Sequence, residues 1–241
     1  MARDPRYGLA STSDEGRGAA IEDVRAIHRE VTAIRAVLGD TSVVAVELHS
    51  APVAGAGASS ADRFADSLAE IAAWDWGAIR LVLEHADALV DWHPPQKGWL
   101  SLEVELAATE LAAERTGRSI SHTVNWGRSA IETQDGEGPQ DHLRRLLAVG
   151  SLAGFMVSGA SGLATGRSTP WQDVHLAVDT VEPESFLTEA ALERALTTIA
   201  DADLHYLGVK VGKAVGSSTP AERLAPGLAT LRTLDRLRGE R

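Results

Sequence analysis

Two spacings of apolar residues alternate along the chain. Ile21, Val24, Ile27, Val31, Ile34 and Leu38 recur every three or four positions, the period of a helix with one buried face. Comparable stretches predict helices near 60–74, 100–115, 139–149, 188–201 and 219–238. The last carries its own start signal: Thr219 as cap, Pro220 at the first helical position and Glu222 closing a capping box. Between the helices stand short apolar runs rich in β-branched residues: Val43–Leu48, Ile79–Glu84, Ile120–Trp126, Gly154–Ser158, Val174–Val178 and Leu207–Val211. Near-continuous runs of this length suit parallel strands buried on both faces. The alternation predicts six strands in βαβ units.

No Pro/Ser-rich linker interrupts the pattern, so 1–241 reads as a single (β/α)-barrel-like domain that opens on a polar N-terminal loop segment, 1–16. The 241 residues approach the ~250 typical of an eight-unit barrel. Only six units are visible, however, and their loops and helices fill the length. The expected fold class is α/β, of the TIM-barrel type with parallel strands, incomplete at the N-terminus, with about six of eight units present. Strand edges exposed by such a gap would offer a route to homo-oligomers.

The charge balance narrows the partners. Twenty-three Lys and Arg against 34 Asp and Glu leave a net charge of −11. That disfavours nucleic acid, whose phosphates call for clustered cations, and equally an anionic membrane surface. The absence of Cys excludes disulfides, thiolate metal sites and Cys nucleophiles. Leu146 to Gly166 is uncharged, but five glycines break it, so it reads as a helix end, a buried strand and a Gly-rich loop rather than a membrane span. The N-terminus shows no apolar signal region, which makes the cytoplasm the default expectation.

Polar groups close every predicted strand. Glu47 and His49 share one face of the first run, and Glu84-His85 end the second. Asn125 ends the third and is followed by Arg128. Ser158 ends the fourth, Asp173 and His175 share a face of the fifth, and Lys210 lies near the end of the sixth. In parallel α/β architectures this edge faces the ligand crevice, and each buried polar group there carries a desolvation cost unless it meets a partner. Plainer readings exist for several of these residues: a packed His85, a turn-capping Asp173, a structural His28, His142 and His205, and loop scaffolding for His93. Trp92, Trp99, Trp126 and Trp171 lie in or near the loops after strands, where they could stack on a sugar ring or pack the loops. No P-loop, G-x-S-x-G elbow or H-E-x-x-H motif is present.

The segments Val46 to Pro52, Leu83-Glu84-His85-Ala86-Asp87, Asn125 to Glu132, Ser158 to Ser161 and Gly208-Val209-Lys210-Val211 resemble an uncharacterised bacterial family, domain of unknown function 4862. Through it the chain resembles the xylose-isomerase-like TIM barrels, a group of sugar isomerases, sugar epimerases and endonuclease IV. Members of the family carry two strands ahead of the region matching residue 5, which would start this chain inside the second β/α unit. The wider group holds a divalent metal on acidic and His residues at strand ends. The resemblance implies that Glu84 and His175 fill two such positions, with Mn, Zn, Co or Mg as the ion. Lys210 stands where a metal-binding Glu would be expected, a departure that weighs against the full site.

The expected function is isomerisation or epimerisation of a small carbohydrate or sugar derivative. Glu84, His175 and Lys210 are the candidate catalytic residues: base or metal ligand, proton shuttle or metal ligand, and carbonyl-polarising cation. Glu47, His49, Asn125, Arg128, Ser158, Trp171 and Asp173 are the candidate substrate contacts. Two alternatives remain open at this stage: a metal-free lyase or aldolase with Lys210 as a Schiff base, and an inactive truncated barrel that only binds a ligand or partner.

Overall fold

A computed structural model describes residues 4–52, 58–166, 168–212, 216 and 219–239. Met1 to Arg3 of the polar opening segment, and Arg167, lie outside them. The element order is α1 (Asp14–Leu38), β1 (Ala45–Leu48), α2 (Ala61–Ala72), β2 (Arg80–Glu84), α3 (Leu102–Thr116), β3 (Ile120–Asn125), α4 (Trp126–Thr133), α5 (Gly138–Ala148), β4 (Leu152–Val157), α6 (Glu189–Thr198), β5 (Tyr206–Val209) and α7 (Pro220–Gly239). The chain gathers into two compact units, Met1–His122 and Thr123–Arg241, so β3 contributes residues to both.

In the first unit the helices start where the sequence supplies an oxygen to cap them. Ser13, Ser60 and Ser101 each accept a hydrogen bond from a backbone N–H in the first turn of α1, α2 and α3. β1 and β2 pair in parallel with Leu48 opposite Leu83. Phe64, Leu68 and Ile71 of α2 form one core with Val46 and Leu48 of β1, Leu81 and Leu83 of β2, and Ala108 and Ala112 of α3. Ile21 and Val24 of α1 join it, as the helical spacing predicts. His28 packs edge-on against Trp76, 4.6 Å between ring centroids, in keeping with a structural role.

In the second unit β4 and β5 pair in parallel, Gly154 opposite Tyr206 and Val157 opposite Val209. Phe155, Leu143, Leu146, Leu192 and Leu234 are buried among the elements around this pair. The predicted capping box opens α7: Thr219 N–H donates to Glu222 at 3.0 Å, and Glu222 N–H donates to the Thr219 hydroxyl at 3.2 Å. The uncharged stretch from Leu146 forms the end of α5, β4 and a turn. No helix among the described residues is long and apolar enough to cross a membrane.

Two expectations need correction. The described residues hold five strands, because Val174–Val178 is not one. His175 adopts φ +54°, a left-handed conformation that breaks an extended run, and Leu176 makes an isolated antiparallel bridge with Gly159 instead. The run is apolar because Leu176, Ala177 and Val178 are buried as a loop. Helix α4 was also not predicted. Its sequence, Trp126 to Thr133, is too short to show a repeating stripe.

Gly154 marks a close approach within the second unit. A Cβ there would overlap the Tyr206 ring and the Thr123 hydroxyl, which are hydrogen-bonded to each other. Gly154→Ala is expected to lower stability by about 1–3 kcal/mol through overpacking. Urea unfolding should show a lower midpoint at unchanged slope, and an unchanged midpoint would contradict the packing.

Candidate functional site

In the first unit the register of β1 against β2 carries the chemistry past the ends of the strands. With Leu48 opposite Leu83, the next positions are His49 and Glu84. Glu84 is fully buried. His49 Nε2 lies 3.5 Å from Glu84 Oε2, and its Nδ1 lies 3.2 Å from the Glu84 carbonyl oxygen. Trp99 backs the His49 ring at 5.4 Å between centroids. Glu47, two residues earlier on the same face, lines with His49 a groove of about 190 Å³ walled by Tyr7, Leu9, Val24 and Ile27.

The residues after Glu84 divide the remaining work. His85 points away from Glu84, as strand alternation requires. Its Nδ1 lies 2.6 Å from Glu105 Oε2, with both side chains fully buried. Asp87 Oδ2 accepts from the backbone N–H groups of Gln96 and Lys97 at 2.8 Å and of Gly98 at 3.4 Å. That one carboxylate folds the loop after β2 back to Trp99, whose own N–H donates to the Asp87 carbonyl at 3.1 Å. His93 acts as loop scaffolding, with Nδ1 2.8 Å from the Pro94 carbonyl oxygen.

In the second unit Asn125 and Ser158 meet across the ends of β3 and β4. The Ser158 hydroxyl donates to Asn125 Oδ1 at 2.5 Å. Asn125 occupies the N-cap of α4 but makes no side-chain cap bond, because its oxygen serves Ser158. Gly127 permits the approach: a Cβ there would stand 2.8 Å from the Ser158 hydroxyl and 2.9 Å from the Gly159 carbonyl oxygen.

One turn into α4, Arg128 Nε lies 3.5 Å from Asp173 Oδ2, and the other Asp173 oxygen lies 3.3 Å from His175 Nδ1. Lys210 follows β5 directly and is half-buried; its backbone N–H donates to the Val157 carbonyl at 2.9 Å. Two residues on, Gly212 N–H donates to the His175 carbonyl at 2.8 Å. Trp171 packs on Phe186 at 5.1 Å between centroids and closes over Gly162. The structure thus joins His49 with Glu84, Asn125 with Ser158, and Arg128 with Asp173 and His175.

Several polar groups inside the fold are not among the candidate site residues, although the sequence reads His142 as structural. Glu105 shares the buried face of α3 with Ala108, Thr109 and Ala112. A carboxylate inside that i, i+3, i+4, i+7 stripe was the available signal. Ser129, Glu132 and His142 join α4 to α5: His142 Nδ1 lies 2.9 Å from the Ser129 hydroxyl, and its Nε2 lies 3.6 Å from Glu132. His122, on the buried face of β3, is the third.

Burial, reinforced by the charge of neighbouring His85, pulls the His122 pKa from 6.5 down to about 3. Native His122 is therefore neutral over a range in which the unfolded chain binds a proton there. Stability should fall as pH drops from about 6.5 towards 3, with this residue adding a slope of up to ~1.4 kcal/mol per pH unit. Replacing it, in His122→Gln, should flatten the profile of unfolding free energy between pH 6 and 4. The same slope in both proteins would refute the assignment.

A solved structure from Rhodospirillum rubrum, provisionally assigned as a xylose isomerase, superposes with a TM-score of 0.61 over 95% of this chain and 72% of its own, at 14% identity. Likeness at that identity shows the fold alone, an α/β architecture of parallel strands and helices of the TIM-barrel type. An uncharacterized protein of Salmonella typhimurium is 37% identical over 209 residues, 85% of this chain. The chain spans 63% of that relative's length. The family model described as domain of unknown function DUF4862 matches residues 1–225, and the chain belongs to that family.

Proposed function

We propose that the chain carries the chemistry of an isomerase or epimerase acting on a small sugar or sugar derivative. The observation that supports this most is Glu84: a fully buried carboxylate at the carboxyl end of a parallel strand, with a His nitrogen 3.5 Å away. Such a carboxylate can take a proton from the carbon next to a sugar carbonyl and return it to the neighbouring carbon; epimerisation would need a second proton donor on the opposite face. His175, fixed against Asp173, is suited to shuttling the proton between oxygens. Lys210 is suited to donating a hydrogen bond to the carbonyl oxygen as negative charge develops there. Glu47, His49, Asn125, Ser158 and Trp171 are assigned to holding the hydroxyl-rich substrate.

The fold family also implies a divalent metal, and the donors present are compatible with one. Two ligands about 2.1 Å from a tetrahedral ion sit about 3.4 Å apart. The Glu84 oxygen and His49 nitrogen are 3.5 Å apart. His175 has its Nδ1 against a carboxylate, as metal-binding histidines commonly do. Glu84, beside His49, in the first unit and His175 in the second are each proposed as a ligand for Mn, Zn, Co or Mg, and the chemistry such an ion would supply is Lewis-acid polarisation of the sugar carbonyl.

The test is turnover on a panel of free aldoses, ketoses, sugar acids and sugar phosphates, with metal analysis of the purified protein. Glu84→Gln is expected to lower kcat by about 10²–10⁴-fold with the fold intact. Wild-type protein that turns over none of the panel, or a Glu84→Gln variant as active as wild type, would overturn the reading. A borohydride-trapped adduct on Lys210 would replace it with Schiff-base chemistry.

A further inference from the structure

His175 sits in a backbone conformation that few residues other than glycine adopt, and its surroundings enforce it. Its φ is +54°, and Trp171, four residues earlier, has φ +58°. The segment between them is pinned from both sides. Trp171 N–H donates to the Ser161 carbonyl at 2.7 Å, and Gly159 and Leu176 exchange hydrogen bonds of 2.7 and 2.9 Å. The His175 carbonyl is held by Gly212 at 2.8 Å. A strained residue persists only where its neighbours over-determine it, and such residues gather at functional sites.

The side chain is constrained as tightly as the backbone. The Asp173 carboxylate, 6% exposed, stands between two ion-pairing groups, the Arg128 guanidinium and the His175 imidazole. Arg128 Nε lies 3.5 Å from Oδ2, and His175 Nδ1 lies 3.3 Å from Oδ1. A carboxylate only accepts, so the His175 nitrogen facing it carries the proton. The ring is thereby held as the Nδ1–H form, with Nε2 as its acceptor atom.

From this geometry we infer that Asp173 and Arg128 are positioning residues for His175 rather than contacts of the substrate. Arg128 orients the Asp173 carboxylate, and Asp173 sets both the plane and the tautomer of the imidazole. Nε2 is then the atom that accepts a substrate proton or a cation. The inference deepens the isomerase reading, and it explains why an arginine and an aspartate are buried together beside a half-buried histidine.

Nitrogen-15 NMR of histidine-labelled protein tests this without a substrate. Two-bond proton–nitrogen correlations distinguish the two neutral tautomers, and the His175 signals are assigned by their loss in His175→Gln. At pH 8.5 wild-type His175 is expected as the Nδ1–H form. Asp173→Asn should invert it. Arg128 holds the amide oxygen, the amide NH₂ then faces the ring, and Nδ1 becomes the acceptor, as a carboxylate-to-amide change does in a Ser-His-Asp triad. Arg128→Lys keeps a cation beside Asp173 and should keep the wild-type tautomer. An Nε2–H ring in wild type overturns the inference, as does an unchanged tautomer in folded Asp173→Asn. Should that variant not fold, the wild-type and Arg128→Lys spectra decide. An Nδ1–H ring in a protein that turns over no sugar would leave the positioning roles standing and remove the isomerase reading. An Nε2–H ring in an active isomerase would do the reverse.

Discussion

The parallel register of β1 against β2 decides which side chains of the first unit can meet. Once Leu48 lies opposite Leu83, His49 and Glu84 become neighbours whether or not that is chemically convenient. A shift of one residue would turn Glu84 towards the packed side of the sheet and exchange it with His85. The apolar residues therefore do more than stabilise. By burying Leu48, Leu81 and Leu83 in one core, they select the register that brings a carboxylate and an imidazole within 3.5 Å. Burial then raises the stakes for both groups, because a charge removed from water needs a partner close at hand.

The same logic distributes the other histidines. His49, His85 and His175 each place Nδ1 near an oxygen: a backbone carbonyl, the Glu105 carboxylate and the Asp173 carboxylate. Each is thus oriented by a group other than the one it would act upon. His122 is instead held neutral far below the usual range by burial and by the charge of His85.

Much of this was legible in the chain. Strand-end polar residues such as Glu84, Asn125 and Ser158 announced themselves because a polar group at the end of an apolar run is conspicuous. Boundaries of the strands moved by one or two residues, where the hydrogen-bond ladder rather than hydropathy decides the end. The run Val174–Val178 misled because burial, not extension, is what an apolar stretch reports, and a left-handed His175 leaves no mark on hydropathy. Glu105 was missed for a related reason. Its partner, His85, lies 20 residues away in sequence, and the pairing exists only once α3 packs on β2.

Asn125 and Ser158 share one hydrogen bond but stand under unequal constraint. β3 passes into α4 with no intervening residue, so Asn125 is both the last strand position and the helix cap. An insertion there would displace a strand and a helix together. Ser158 opens the long connection that runs from β4 to α6 and carries Trp171, Asp173 and His175. A change in that connection is therefore a local one, confined to the Ser158 end of the bond. Its residues can shift while the Asn125 side of the same bond stays as a fixed point of reference.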